Sequence, residues 1–257
     1  MSKSAPFPLP NKLREMAETV RNSRPESQSV RWAKYADAYD AILAEIKIWR
    51  TFNDTWRTFK NVPQRVKCVT RADLRSTSDQ CARGESGWPS LFCLTMLWGF
   101  GENDKAGPVK LFEALRTTNN GERIAERCIT KAACLARSGE YRSSLEEIMK
   151  LDEIGPSYAT KFVYSVGASR DLGLKALILD SKVGKALKEF NMVGAMARYG
   201  LSEDDVPNKK SLTQPGRYQT YCSDMGHWAS ELDCDPEQLE YSFFEKTKSK
   251  DPSERAN

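Results

Sequence analysis

Apolar residues recur along this chain at intervals of three and four. Between Val30 and Trp56 they fall at Tyr35, Ala38, Ile42, Ile46 and Trp49, the stripe that an amphipathic helix turns toward a core. The same spacing returns over 111–115, 124–135, 145–151, 159–166 and 183–190, then from Tyr218 to Leu232 and from Pro236 to Phe244. Residues that interrupt helices stand between the stripes: Gly87, Gly99 and Gly101, Gly107–Pro108, Asn119–Asn120–Gly121, Gly155–Pro156 and Gly173. No stretch alternates for long enough to make a sheet. The pattern predicts an all-α fold. It also suggests an N-terminal helical segment over 1–85, a central helical subdomain over 86–190, C-terminal helices over 191–247 that pack back on the N-terminal part, and a frayed tail over 248–257.

Two segments carry candidate chemistry. The first is Leu151-Asp-Glu-Ile-Gly-Pro-Ser-Tyr-Ala-Thr-Lys-Phe162, in which one helix ends near Leu151 and another opens at Pro156. Proline suits a first helical turn, where its missing N–H costs nothing. A turn centred on Gly155 would leave backbone N–H groups bare at a helix N-terminus, a setting that favours phosphate. A helix-hairpin-helix of this kind, about 145–167, grips a DNA backbone without reading its sequence; an ordinary αα-turn would look similar. The second segment is Ala176-Leu-Ile-Leu-Asp-Ser-Lys-Val-Gly-Lys-Ala-Leu187, with Asp180 placed to cap the helix that follows. Asp180 lies 25 residues beyond Gly155, so the chain can return and bring a fixed carboxylate near the hairpin.

Composition narrows the classes. The 257 residues are 40% apolar with six tryptophans, enough for one large domain or two small ones sharing a core. The apolar stretch Leu91–Gly101 is far too short to span a bilayer, and the first ten residues lack a signal peptide's apolar core. A soluble, cytoplasmic protein is expected. Seven cysteines without a Cys-x-x-Cys pair signal neither a zinc site nor an iron–sulfur cluster and read as reduced thiols. The single histidine, His227, leaves no two-histidine metal site, and a Ser-His-Asp triad is a poor candidate. Net charge is only +4, but Lys182, Lys185, Lys188 and Arg198 stand against the one acid Glu189, a local basic surface suited to phosphates or to solvent.

The pair "IGPSYATKF…ALILDSKVGKAL" resembles the hairpin and aspartate of the helix-hairpin-helix DNA glycosylase superfamily, and especially its adenine-specific mismatch branch. Upstream, "MLWGFGENDKAGPVKLFEAL" is similar to bacterial proteins with the 8-oxoguanine DNA glycosylase fold, as is "HWASELDCDPEQLEYSFF". The resemblance covers about Gly87 to Phe244 and implies two helical subdomains flanking a base-binding cleft, into which a nucleotide is flipped. It makes Asp180 the catalytic carboxylate. Bifunctional members attack the sugar with a lysine on the hairpin helix; Ser157 stands at that position here, which implies a monofunctional enzyme using water. Lys161, four residues on along the same helix face, remains open as nucleophile, phosphate contact or salt-bridge partner.

The resemblance also implies the rest of the site. Ile154, Gly155, Ser157, Thr160, Lys182 and Lys185 would hold DNA. Trp88, Trp98, Phe100 and Gly101 would line the base pocket, although Trp98 also fits a core position. Trp32, Tyr35, Tyr39, Trp49 and Trp56 follow helical spacing and read as core. No cofactor or metal is expected, a structural monovalent cation at the hairpin being the one candidate. The expected partner is double-stranded DNA containing a modified base, bound by a monomer, with no membrane involved. Oxidised guanine is one substrate. Another is glucosylated hydroxymethylcytosine, which a bacterial relative of this fold removes from phage DNA. A non-catalytic hairpin module that only holds DNA is the alternative from another class, with oxidised-base repair through Lys161 as a second form of the enzyme reading.

Overall fold

The computed structural model describes residues 5–59, 68–101, 104–116, 121–167, 174–201, 206–214 and 216–248. They are overwhelmingly helical, and the strands among them are two residues long, Ser29–Val30 pairing antiparallel with Val69–Thr70. The expected all-α fold is observed. Most of the tail expected over 248–257 lies outside the described residues, as do Asn119, Asn120 and Gly173.

The chain divides into two compact units, one made of residues 1–25 with 171–257 and the other of residues 26–170. The sequence pattern placed boundaries after 85 and 190 instead. Side-chain burial explains the first unit. Phe7 donates its N–H to Asp224 Oδ1 at 3.2 Å, and the Trp228 indole donates to the Phe7 carbonyl at 2.6 Å. Asp224 also accepts the Tyr199 hydroxyl at 2.8 Å. With Leu9, Leu13 and Val20 buried as well, the first residues of the chain belong to a core whose other members come after residue 170.

In the second unit the stripe from Val30 to Trp56 is not one helix. It forms Ala36–Leu43 and Lys47–Phe59. Neither glycine nor proline stands at the break. The later helix begins there because Glu122, far along the chain, accepts the N–H groups of Lys47 and Ile48 at 2.9 and 3.2 Å. A carboxylate supplied from elsewhere satisfies first-turn donors that have no partner within their own helix. Trp32, Tyr39, Trp49, Phe52 and Trp56 then form a chain of ring contacts with centroids 5.3–6.4 Å apart. All five are buried, whereas Tyr35 is only half-buried.

The helix Trp88–Phe100 runs through the middle of this unit. Its residues from Ser90 to Trp98 are all buried. It starts on Gly87 with Pro89 in the first turn, and it stops at Gly101, whose φ of 79° no ordinary side chain favours. The hairpin helix Pro156–Gly167 packs along it, Phe92 meeting Phe162 edge-on at 5.6 Å.

Candidate active site

The hairpin is built within the second unit. The helix Tyr141–Ile148 ends, a short turn follows, and the next helix opens at Pro156. The Gly155 carbonyl accepts from Tyr158 and Ala159 at 3.1 and 2.9 Å, which sets the start of that helix. The left-handed residue of the turn is Glu153, at φ 61°, rather than Gly155. A Cβ added to Gly155 would meet nothing within 4 Å. The fold itself therefore makes no demand for glycine at 155, and the position presents bare backbone beside a helix N-terminus.

The residues around it divide by burial. Ser157 is half-buried, while Ile154 is almost fully enclosed. Thr160 is fully buried and donates its hydroxyl to the Ser157 carbonyl at 3.1 Å. Its side chain faces inward, so the expectation of a DNA contact from Thr160 has no side-chain basis. The Leu151 carbonyl accepts from Ile154 and the Gly155 carbonyl from the helix behind it, so neither is a wholly free ligand for a cation. Among the described residues no group of three His, Cys, Asp or Glu could hold a metal.

Lys161 lies against the central helix. A Cβ on Gly99 would come 3.1 Å from Lys161 Cδ and 3.7 Å from Tyr158 Cδ1. The missing side chain lets the lysine stem lie flat there, with its ammonium 5.7 Å from the centre of the Tyr158 ring. Tyr158 in turn meets Phe100 edge-on at 5.0 Å. The Lys110 ammonium lies 5.8 and 5.9 Å from the Phe100 and Tyr158 rings and pairs with Asp104 at 2.7 Å. Burial works against that ammonium, but Asp104 and the Tyr158 hydroxyl together outweigh the loss of water and hold its pKa above the usual lysine value. Half-buried Tyr158 was not anticipated from sequence. It stands just ahead of the 159–166 stripe, whose spacing says nothing of it.

The aromatic residues expected to line a base pocket are placed differently from one another. Trp98 is 3% exposed, and the buried guanidinium of Arg71 lies 5.3 Å from its ring centre. Phe100 is also buried, beneath Tyr158. Both are parts of the packed body of the unit. Their apolar spacing was a core signal, and the Gly99 and Gly101 that flank Phe100 did not expose it. Trp88 is half-buried, with the Arg137 guanidinium 5.5 Å from its ring centre. Gly101, half-buried, ends the helix.

Asp180 belongs to the first unit. It is the N-cap of the helix Ser181–Glu189, and its Oδ1 accepts the N–H groups of Lys182 and Val183 at 3.0 and 3.1 Å. The residue is 8% exposed. The extended segment leading to it is pinned by two tyrosines of the helix Arg217–Glu231. Tyr218 donates to the Leu177 carbonyl at 2.5 Å and accepts its N–H at 3.2 Å. Tyr221 donates to the Ile178 carbonyl at 2.6 Å. Burial pushes the Tyr221 hydroxyl well above the usual tyrosine range, so it stays a neutral donor. These two supporting residues were missed in the sequence, where their spacing of three showed only a helix face. The Lys182 ammonium lies 4.6 Å from the Phe244 ring centre, and Lys185 is exposed.

An all-α chain with a backbone-presenting hairpin, followed by a capped and buried aspartate, has the parts of the helix-hairpin-helix DNA glycosylases. The chain belongs to the family described as "Putative 8-oxoguanine DNA glycosylase OGG-like protein", whose pattern matches residues 20–244. No curated protein and no solved structure matches it. Membership points to DNA glycosylase activity, and with it to DNA as the macromolecule bound. No described helix is long and apolar enough to cross a membrane.

Proposed function

We propose that the protein is a monofunctional DNA N-glycosylase that flips a modified base out of the duplex and hydrolyses its glycosidic bond, leaving an abasic site. The observation that carries this reading is Asp180, a buried carboxylate whose Oδ1 is fixed by two backbone N–H groups at a helix N-terminus. A cap alone would be served about as well by serine or asparagine, so the carboxylate is free to carry a further role. As the base departs, positive charge builds on the sugar, and a fixed carboxylate stabilises it without reorganising. Asp180 also orients the attacking water. No residue here needs to form a covalent bond to the sugar, in keeping with Ser157 on the hairpin helix. Gly155 and the hairpin N-terminus hold a phosphate, and exposed Lys185 with Lys182 adds charge along the strand.

The substrate we favour is glucosylated hydroxymethylcytosine of phage DNA, which gives the enzyme a role in anti-phage defence; 8-oxoguanine is the competing substrate. The preference comes from membership in a fold family that includes such an enzyme, and from no residue of the site. The serine hairpin is compatible with either base. The test is direct. Duplexes containing either base are incubated with protein, and abasic sites are counted after mild alkali. Release of the glucosylated base alone supports the reading, and release of 8-oxoguanine alone replaces the substrate. DNA binding without release of any base would leave a hairpin-based binding module.

A further inference from the structure

Away from the hairpin, the second unit holds a cavity of about 130 Å³. Phe52 and Trp56 line it from the helix Lys47–Phe59, Thr77 and Gln80 from Arg71–Ala82, and Ser90 from the first turn of the central helix. A single water needs roughly 10–15 Å³, so the space admits a six-membered ring with its substituents. Ser90 precedes Gly99 by nine residues on one helix. At 1.5 Å of rise per residue that is roughly 13 Å, which sets the cavity apart from the Lys161–Tyr158 cluster.

Its lining is unusual for a packing defect. Thr77 and Ser90 are each only 8% exposed, yet neither hydroxyl bonds to any described residue. Neither hydroxyl is among the fully enclosed, unpartnered polar atoms of the described residues, so both reach the cavity space, where a ligand can bond to them. Asp73 also lines the cavity, and its carboxylate already accepts the N–H and hydroxyl of Thr70 at 2.9 and 2.8 Å. Among the described residues no lysine or arginine lines the space, so none of them offers a phosphate or carboxylate a counter-charge. The Phe52 and Trp56 rings are 22° from parallel with centres 6.1 Å apart, giving an apolar side to an otherwise hydroxyl- and amide-lined space.

We propose that this cavity is a second binding site, for a small uncharged ring compound with hydrogen-bonding groups around its edge. That chemistry is shared by a free nucleobase and a monosaccharide. The aromatic pair takes the ring, while Thr77, Ser90 and the Gln80 amide take the edge. The site is independent of the base-releasing reaction and stands or falls separately from it.

The full-length protein is examined by ligand-observed saturation-transfer NMR and by thermal melting, with free cytosine or methyl glucoside at about 10 mM, or free adenine at about 2 mM. Saturation transfer and a raised Tm are expected with the bases or with the glucoside, and the arm that responds identifies the source. Inorganic phosphate is expected to give neither. Thr77→Val should weaken binding at least about tenfold. Its unliganded Tm should stay nearly level, because the hydroxyl bonds to no described residue and faces the cavity. Ser90→Ala should repeat both effects. Absence of binding by all three ligands overturns the proposal, as does unchanged affinity in both variants. A fall in unliganded Tm in both would show that the hydroxyls already serve the fold, and would overturn it too.

Discussion

The Tyr218 hydroxyl closes both backbone groups of Leu177, donating to its carbonyl at 2.5 Å and accepting its N–H at 3.2 Å. Leu177 stands three residues before Asp180, and both residues of the contact are fully buried. Replacing Tyr218 with phenylalanine keeps the ring and strands two buried backbone groups. Such a loss costs about 1–3 kcal/mol. Tyr218→Phe should therefore lower stability in a denaturant titration and slow base release, because the segment that delivers Asp180 loses its tie. Unchanged stability and unchanged single-turnover rate together would remove Tyr218 as a positioning residue.

Asp180 itself is tested by Asp180→Asn. The amide oxygen can still accept the two N–H bonds of the cap, so a stability loss of at most about 1 kcal/mol is expected. Base release should be abolished, with DNA binding kept or tightened as a negative charge leaves the protein. Retained turnover in the asparagine variant would take the carboxylate out of the mechanism.

Gly155 permits a separation of fold from function. A Cβ there meets nothing within the protein, and the residue is not left-handed. Gly155→Val should leave Tm nearly unchanged and weaken binding to all DNA sequences about equally, since phosphate contacts carry no base information. Affinity of the unaltered protein should also fall steeply with salt. A variant defective on one sequence context only would contradict a backbone-gripping hairpin.

Acid stability should reflect Glu147. Burial works to raise the pKa of this carboxyl, but Lys150 at 2.7 Å and Lys131 at 3.0 Å outweigh it and hold the pKa below the usual glutamate value. A depressed folded pKa gives stability that is present above the unfolded value, near 4.3, and lost as pH falls through the folded one. Glu147→Gln should thus melt below the unaltered protein at neutral pH, and the gap should close on acidification. A gap that stayed constant or widened in acid would assign the stabilisation elsewhere.

Much of this was legible in the sequence because it is local. The Gly155–Pro156 start of the hairpin helix and the Asp180 cap are each written in a few neighbouring residues, and the structure has both. What escaped depends on residues distant along the chain. The break after Leu43 is set by Glu122, the path of Leu177 and Ile178 by Tyr218 and Tyr221, and the membership of the first 25 residues by Asp224 and Trp228. Trp98 and Phe100 mislead for a related reason. Neighbouring glycines suggested an open loop, whereas Gly99 serves close helix packing and Gly101 only terminates the helix.

That packing bears on the type of chemistry. Gly99 seats the Lys161 stem, with Lys161 Cδ 3.1 Å from where a Cβ would stand. A lysine that attacked the sugar would pass through an imine, which borohydride traps as a protein–DNA adduct. With Ser157 on the hairpin helix and water as nucleophile, the product should be an intact abasic strand and no adduct should form. Lys161→Ala should reduce the single-turnover rate by less than about tenfold, through a lost phosphate or packing contact. Gly99→Ala, which pushes the same stem aside, should have a similar and small effect. If Lys161 were the nucleophile, strand cleavage and the borohydride adduct would both appear, and both would vanish in Lys161→Ala. Gly99→Ala would then diminish the adduct as well, because the displaced ammonium no longer meets the sugar. Saturating protein is needed throughout, since removing a positive charge weakens DNA binding whichever mechanism operates.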